Sequence, residues 1–115
     1  MCKFFKYLAK TTNGSLIFCS KSKKYQLCYK NLNFDLTEIE LESLAKYLKN
    51  IDCDYWEKEY ENSIYEKKIP IPTLQSNFII LLDRMEVNEL LNLLDVNKKR
   101  GFISFLDINY PIHLN

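Results

Sequence analysis

The chain has 115 residues, of which 47% are hydrophobic and 27% charged, a balance that excludes a disordered chain and is typical of one domain. Only two glycines and three prolines occur, which excludes collagen-like, linker-like and low-complexity classes. The net charge of +1 conceals an asymmetry, because residues 1–34 contain seven lysines and no acidic residue; such a split marks a site for an anionic partner or two surfaces that attract each other.

The first third of the chain predicts an antiparallel β-meander over residues 3–36. Apolar and aromatic runs flank Asn13 and Gly14, and an Asn-Gly pair in that setting is the strongest short signal for a hairpin. The next apolar run alternates with the period of a strand, and Lys30 and Asn31 then fit a tight turn into a fourth strand. We therefore expect four consecutive strands joined by short turns.

Two amphipathic helices are predicted to pack on this meander, over residues 37–50 and residues 85–95. Thr37 stands three residues before Glu40, the spacing of a capping box that starts a helix. Apolar residues then recur at helical spacing, which predicts a stripe that covers one face of the sheet. The stripe of the first helix contains Ile39, Leu41, Leu44, Ala45, Tyr47, Leu48 and Ile51. The second helix is predicted to end at the cations and glycine Lys98, Lys99, Arg100 and Gly101.

The remaining segments are predicted to be mostly extended. Residues 64–72 leave helical geometry because Pro70 and Pro72 restrict the residues that precede them. Residues 77–82 end in a continuous apolar run, which we interpret as a buried central strand. One or two edge strands are expected at the C-terminus. The sequence thus predicts one α+β domain over residues 1–115, an antiparallel sheet with two helices packed on it.

Short stretches along the chain together resemble one protein family. They are Cys2, Asn13-Gly14, Phe18-Cys19, Tyr25-Gln26-Leu27, Asn31, Ile51-Asp52, Tyr55-Trp56, Tyr60, Lys67-Lys68-Ile69-Pro70-Ile71-Pro72-Thr73-Leu74-Gln75, Glu86-Val87 and Glu89-Leu90. In these stretches the chain resembles a small family of flavobacterial and related Bacteroidota proteins, a domain of unknown function, and the likeness weakens after Leu94. The resemblance implies a single cytoplasmic domain and brings no activity, cofactor or partner with it.

The resemblance also bears on zinc binding. Members of the family tend to carry a Cys-x-x-Cys pair after the Asn-Gly hairpin, where this chain reads Cys19-Ser20-Lys21-Ser22. A structural zinc site needs four ligands held close together, so this departure removes one of them. We therefore predict no metal site.

The cysteines Cys2, Cys19, Cys28 and Cys53 are expected to be reduced thiols packed in the core. Lysines interrupt the N-terminal segment, which lacks the apolar stretch of a signal peptide or membrane span, so we expect a cytoplasmic location without membrane association. A metal site of three thiolates completed by His113 stays an alternative. Because His113 is the only histidine, a Cys-His enzyme is disfavoured, and we predict no catalytic residue and no cofactor.

Two groups of residues are candidates for binding. The acidic and aromatic segment 52–62, predicted as a short helical turn, carries Tyr55, Trp56 and Tyr60, which either anchor the core or contact a partner protein. The second group is a lysine-rich turn that suits a polyanion, joined by the cations that end the second helix. Its members are Lys21, Lys23, Lys24 and Tyr25, with Lys98, Lys99 and Arg100.

The function favoured by these patterns is a small non-catalytic binding or regulatory domain that acts through protein contacts, with a partner protein or as a homodimer. The first alternative is nucleic-acid or other polyanion binding through the lysine-rich hairpin. The second is an enzyme of unrecognised type, for which the carboxylates of the acidic segment would need a dry pocket. A solvated acidic loop is the favoured interpretation of those carboxylates.

Overall fold

The structure, a computed structural model, describes residues 4–73 and 75–95. Strands and helices both occur in this part of the chain, which confirms the predicted α+β class. The elements are β1 (Phe5–Lys10), β2 (Gly14–Cys19), β3 (Lys24–Tyr29), β4 (Leu32–Leu36), α1 (Glu38–Asn50), α2 (Cys53–Glu59), β5 (Ile69–Pro72), β6 (Ile79–Leu82) and α3 (Arg84–Leu93). The predicted C-terminal strands lie outside the described residues. The predicted helix end at residues 98–101 is wrong, because α3 already ends at Leu93, where the N–H of Leu94 closes the last turn on the carbonyl oxygen of Leu90.

The four N-terminal strands form one antiparallel sheet in the order β1-β2-β3-β4, as expected for a meander. Leu16, Leu27 and Phe34 lie opposite one another on β2, β3 and β4. Leu16 and Leu27 belong to the core together with buried residues of α1 and α3, and the half-buried Phe34 packs against it. Side chains alternate along a strand, so the intervening residues point to the opposite face. We call that face, which points away from the two helices, the outer face.

Gly14 begins β2 and is required by close packing rather than by an unusual backbone angle. A Cβ atom at this position would lie 2.5 Å from the carbonyl oxygen of Cys28 and 3.0 Å from Leu93. The predicted Asn-Gly hairpin is therefore confirmed, with the glycine used for space. The positive φ angles belong instead to two lysines in the other turns, Lys23 at 61° and Lys30 at 52°.

Helix α1 starts as the sequence predicts. Thr37 donates its backbone N–H to Glu40 Oε1 at 2.8 Å, and Glu40 donates its own N–H to Thr37 Oγ1 at 3.2 Å, which completes the capping box. Leu41, Ala45 and Leu48 form its buried stripe. The predicted stripe is wrong at Ile39, which is 76% exposed, because a residue two positions before Leu41 lies about 200° around the helix.

Helix α3 has the same start, with Asp83 and Glu86 as the capping pair. The N–H of Glu86 donates to Asp83 Oδ1 at 2.8 Å, and the N–H of Asp83 donates to Glu86 Oε1 at 2.9 Å. Val87, Leu90 and Leu93 are buried against the sheet. Both predicted helices are thus present, and the short helical turn predicted within residues 52–62 corresponds to α2.

The predicted central strand is wrong, because β6 pairs with β5 in a separate two-stranded sheet. Phe78 and Ile79 are 53% and 54% exposed, and only Leu82 of this run is fully buried. The partner strand β5 contains Pro70 and Pro72, which have no N–H to donate. Prolines confine a strand to an edge, and a continuous apolar run alone does not distinguish a central position from a peripheral one.

Candidate interaction surface

Helix α2 is short, and its start is fixed by the side chain of Asp52. That carboxylate accepts a hydrogen bond from the N–H of Tyr55 at 3.0 Å, and Tyr60 follows the last residue of the helix as its C-terminal cap. None of its seven residues is fully buried. The predicted helical turn in the acidic segment is therefore a helix that lies on the surface.

Four aromatic rings of α2 and the turn after it form a continuous series, which we call the aromatic cluster. Tyr55 meets Trp56 edge-on with ring centres 5.0 Å apart, and Trp56 stacks on Tyr60 at 5.7 Å. Tyr60 in turn meets the edge of Tyr65 at 6.3 Å. Trp56 and Tyr60 are half-buried, whereas Tyr55 and Tyr65 are 53% and 49% exposed. The cluster thus has anchored inner rings and accessible outer rings.

A cavity of about 520 Å³ lies beside the aromatic cluster, between Trp56 and the C-terminal half of α1. Tyr47 and Ile51 contribute apolar wall, and Ser43 and Asn50 contribute polar groups. Tyr47 donates its hydroxyl to the carbonyl oxygen of Pro70 at 2.8 Å, and burial raises the pKa of this phenol. The cavity therefore has a fixed wall next to the half-buried tryptophan.

Arg84 fastens α2 to the start of α3. Its guanidinium donates to Asp54 Oδ1 at 2.5 Å and to Glu57 Oε1 at 2.7 Å, and these hydrogen bonds, that to Glu57 first, raise its pKa. The three side chains are 41–89% exposed, so water weakens each pair. The arrangement holds α2 in place, and Arg84 partly neutralises two carboxylates of the acidic segment.

The other acidic residues of this stretch are interspersed in sequence with the rings of the aromatic cluster. Glu59, Glu61 and Glu66 are exposed, and Lys58 is the only basic residue between residues 52 and 66. Ile64 lies in the same stretch and is 95% exposed. Exposed aliphatic, aromatic and negatively charged side chains therefore occur together in one short stretch of the chain.

The lysine-rich turn lies at the connection between β2 and β3. Lys21 and Lys23 are exposed, and the ammonium of Lys21 lies 5.7 Å from the ring centre of Phe4. Lys24 lies 3.9 Å from a carboxylate oxygen of Asp35. Tyr25 is only 6% exposed and packs in the core, so its ring is not available for stacking on a ligand. The remaining candidates of this group, Lys98, Lys99 and Arg100, lie outside the described residues.

The cysteines do not all match the expectation of reduced thiols. Cys28 and Cys53 are free and half-buried, whereas Cys19 is disulfide-bonded, so the expectation is wrong for Cys19. Cys2 and His113, the other proposed ligands of a three-thiolate metal site, lie outside the described residues. Within residues 4–73 and 75–95, no three His, Cys, Asp or Glu side chains are grouped as metal ligands would be.

A charged cluster that sequence reasoning missed joins α3 to two turns of the sheet. The carboxylate of Glu86 is buried and accepts from Lys30 at 2.5 Å and Lys67 at 2.7 Å. One turn further along α3, Glu89 accepts from the hydroxyl of Tyr29 at 2.9 Å and from the side-chain amide of Asn13 at 3.0 Å. The sequence shows that both carboxylates lie on one helix, but it does not indicate which residues they contact, because Lys30 and Asn13 lie 56 and 76 residues away from them.

The polar partners of these carboxylates control their ionisation. Burial alone would raise the pKa of Glu86, but hydrogen bonds from Lys30 and Lys67 lower it to about 2. The pKa of Glu89 is also lowered to about 2, by Thr11 and Asn13 first and then by Tyr29. Both carboxylates are therefore ionised at neutral pH, and their contacts are those of a structural fastening.

Comparisons with known proteins place the whole chain in one group without a described activity. A family model described as a family of unknown function (DUF6686) matches residues 1–115. No curated protein and no solved structure matches the chain. In the part of the chain that the structure describes, no helix is both long and apolar enough to cross a bilayer.

Proposed function

Because the chain belongs over its whole length to the family of unknown function DUF6686, we propose its function from the geometry of the surface described above. In this proposal the protein is a non-catalytic binding module that contacts a partner protein through the aromatic cluster of α2. Tyr55 and Tyr65 make the contact, and Trp56 and Tyr60 hold them in position.

The observation that carries the proposal is the series of four touching rings at the surface of a small protein. Tryptophan and tyrosine are the residues that most often dominate the binding energy of protein interfaces. Rings that already contact one another lose little conformational freedom on binding. The nearby Ile64, with a side chain 95% exposed, extends the same surface with an aliphatic group.

The charge of the surface favours a partner that carries basic residues. Glu59, Glu61 and Glu66 would repel nucleic acid and other polyanions and would attract lysine and arginine side chains. Exposed tyrosine rings also attract such cations across their faces. An apolar segment flanked by basic residues therefore fits this surface best.

The decisive experiment is an interaction screen in the native host with matched variants. The double variant Tyr55→Ala and Tyr65→Ala should lose a partner that the wild-type chain retains, because both accessible rings are gone. Tyr7→Ala is the matched control, since Tyr7 is equally exposed, at 52%, but lies on β1. Equal recovery of every partner by the double variant would refute the proposal.

In a second form of the same proposal, the partner is another copy of the chain. The molecular mass in solution distinguishes this homodimer from a contact with a different protein. Sedimentation of the purified chain at low and high concentration should give a dimer that the Tyr55→Ala, Tyr65→Ala variant does not form. A monomer at all concentrations, together with a captured partner, would leave a heterologous contact as the function.

Binding of a polyanion by the lysine-rich turn is the other candidate function. It is favoured by one observation, that Lys21 and Lys23 are exposed in a part of the chain without acidic residues. Fluorescence anisotropy with duplex DNA, single-stranded DNA and RNA should then show binding that weakens steeply with salt. Substituting both lysines by Glu should abolish it, whereas the same change at Lys46 and Lys49 of α1 should not.

We also propose that the family is restricted to Bacteroidota. A cytoplasmic location is a further part of the proposal, and the cysteines bear on it. The free thiols of Cys28 and Cys53 suit a reducing compartment, whereas the disulfide of Cys19 is typical of an oxidising one. Rapid alkylation of host cells, followed by mass spectrometry of the chain, decides between the two. A fully alkylated Cys19 supports the cytoplasmic location, and a protected Cys19 contradicts it.

A further inference from the structure

The outer face of the four-stranded sheet contains a depression that neither the aromatic cluster nor the lysine-rich turn explains. Ile17, Gln26 and Asp35 lie opposite one another on β2, β3 and β4 and point to this face. The depression has a volume of about 520 Å³, within the range of sites that enclose small molecules. We call it the sheet depression.

Apolar and polar groups occupy opposite sides of the sheet depression. Phe5, Ile17 and Cys19, from β1 and β2, form the apolar side, and Ile17 and Cys19 are only 4% and 8% exposed. The polar side, on β3 and β4, carries an ammonium, a carboxylate and two amides. These groups belong to Lys24, Asp35, Gln26 and Asn33.

The charged groups of the polar side are close together but only weakly engaged. Lys24 Nζ and Asp35 Oδ2 are 3.9 Å apart, and the two side chains are 48% and 71% exposed, so each has room for a further partner. Gln26 donates from Nε2 to Asn33 Oδ1 at 3.0 Å, which leaves the Gln26 carbonyl oxygen as an acceptor and the Asn33 amide as a donor. The depression thus offers one positive charge, one negative charge and neutral hydrogen-bonding groups beside an apolar floor.

We propose that the sheet depression binds a free α-amino acid with an apolar side chain. The carboxylate of the ligand pairs with Lys24, its ammonium pairs with Asp35, and its side chain covers Phe5, which is 41% exposed. The two charges of a free amino acid are a few ångströms apart. The ammonium of Lys24 and the carboxylate of Asp35 are similarly spaced, so each can face the opposite charge of the ligand. An internal peptide segment has neither charge, so the charge pair selects against it.

The affinity should be modest. Exposed ion pairs are weak, and the apolar contact is limited to the exposed part of Phe5, so the Kd is expected at about 1–10 mM. This function is independent of the aromatic cluster, which lies on other elements.

The test is a titration of isotope-labelled full-length protein with L-leucine, followed by amide chemical shifts. L-leucine should give saturable shifts at Ile17, Gln26 and Asp35. Two probes separate the contributions: N-acetyl-L-leucinamide keeps the side chain and lacks both charges, and glycine keeps both charges and lacks the side chain. Each should bind at least about threefold more weakly than L-leucine.

Substitutions complete the test. Lys24→Gln and Asp35→Asn should each weaken L-leucine binding about threefold to fivefold, whereas Lys24→Arg should retain it and Lys46→Gln on α1 should have no effect. Unchanged spectra away from the depression will show that the variants are folded. The proposal is overturned if L-leucine gives no saturable shift, if N-acetyl-L-leucinamide binds equally well, or if both charge-removing variants bind as the wild type does.

Discussion

The ammonium of Lys30 lies 2.5 Å from Oε2 of Glu86 and joins the β3–β4 turn to the first turn of α3. Lys30 has a φ angle of 52°, a left-handed conformation that is unfavourable for a side chain of its size. The same oxygen of Glu86 accepts from Lys67 at 2.7 Å, and the Glu86 side chain is only 6% exposed. One buried carboxylate therefore organises two connections and a helix start.

Glu86→Gln should destabilise the fold by about 1–3 kcal/mol, because the amide keeps the size of the carboxylate but loses two charge-assisted hydrogen bonds. The lysines are about two-fifths exposed and will rehydrate, which keeps the loss below that of a fully buried pair. Urea denaturation measures the change, with Glu61→Gln on the surface as the control. A loss equal to that of the control would mean that the contacts of Glu86 contribute nothing.

Acid should remove the contribution of the same carboxylates. The pKa values of Glu86 and Glu89 are lowered from a usual 4.5 to about 2, so both groups release protons more readily in the folded state. Their stabilisation is complete above pH 4.5 and is lost as the pH falls from there to about 2. The free energy of unfolding should decline through this window, and Glu86→Gln should flatten the decline. An equal slope in both proteins would contradict the assignment.

Gly14→Ala should destabilise the protein by about 1–3 kcal/mol, the range for forcing a methyl group into a packed site. The new Cβ would lie 2.5 Å from the backbone oxygen of Cys28, which cannot move without disturbing β3. Thermal denaturation measures the effect. Ser15→Ala, one residue further along β2, serves as the control. A melting temperature of Gly14→Ala equal to that of the control would show that the start of β2 accommodates the added methyl group without a loss of stability.

Residues of the predicted central strand should differ sharply in their effect on stability. Leu82→Ala should cost about 2–5 kcal/mol because Leu82 is 4% exposed and belongs to the core. Phe78→Ala should cost less than about 0.5 kcal/mol, since Phe78 is 53% exposed. Chemical denaturation of both variants tests the placement of β6, and a large loss for Phe78→Ala would place this residue against a partner or in the core.

Helix starts and tight turns were predicted correctly where the residues that specify them lie within a few positions of one another. The Thr37 and Glu40 pair starts α1 as expected, and the turn at Lys30 joins two strands as its sequence indicates. The prediction failed at Phe78 and Ile79 because their burial depends on which strands pair, and pairing is a property of the whole chain. An apolar run shows that a strand can be buried, but its burial depends on the strands and helices that pack against it.

The candidate site could be predicted in part. Tyr55, Trp56 and Tyr60 lie within six residues of one another, on α2 and at its C-terminal cap, so their grouping was accessible from residue spacing alone. The bracing of that helix by Arg84 was not, because Arg84 lies 27 and 30 residues from its two carboxylate partners. Nor could the burial of Tyr25 be predicted, since the period of a strand does not show which of its two faces will be covered.

The fastening of α3 to the sheet has a consequence for synthesis. The meander is complete at Leu36, yet the groups that hold its two turns, Glu86 and Glu89, follow about 50 residues later. At about 5–20 residues per second, the ribosome adds them roughly 3–10 s after the last strand. During that interval the nascent sheet exposes Leu16 and Leu27, and this is the stage at which chaperones have a surface to recognise.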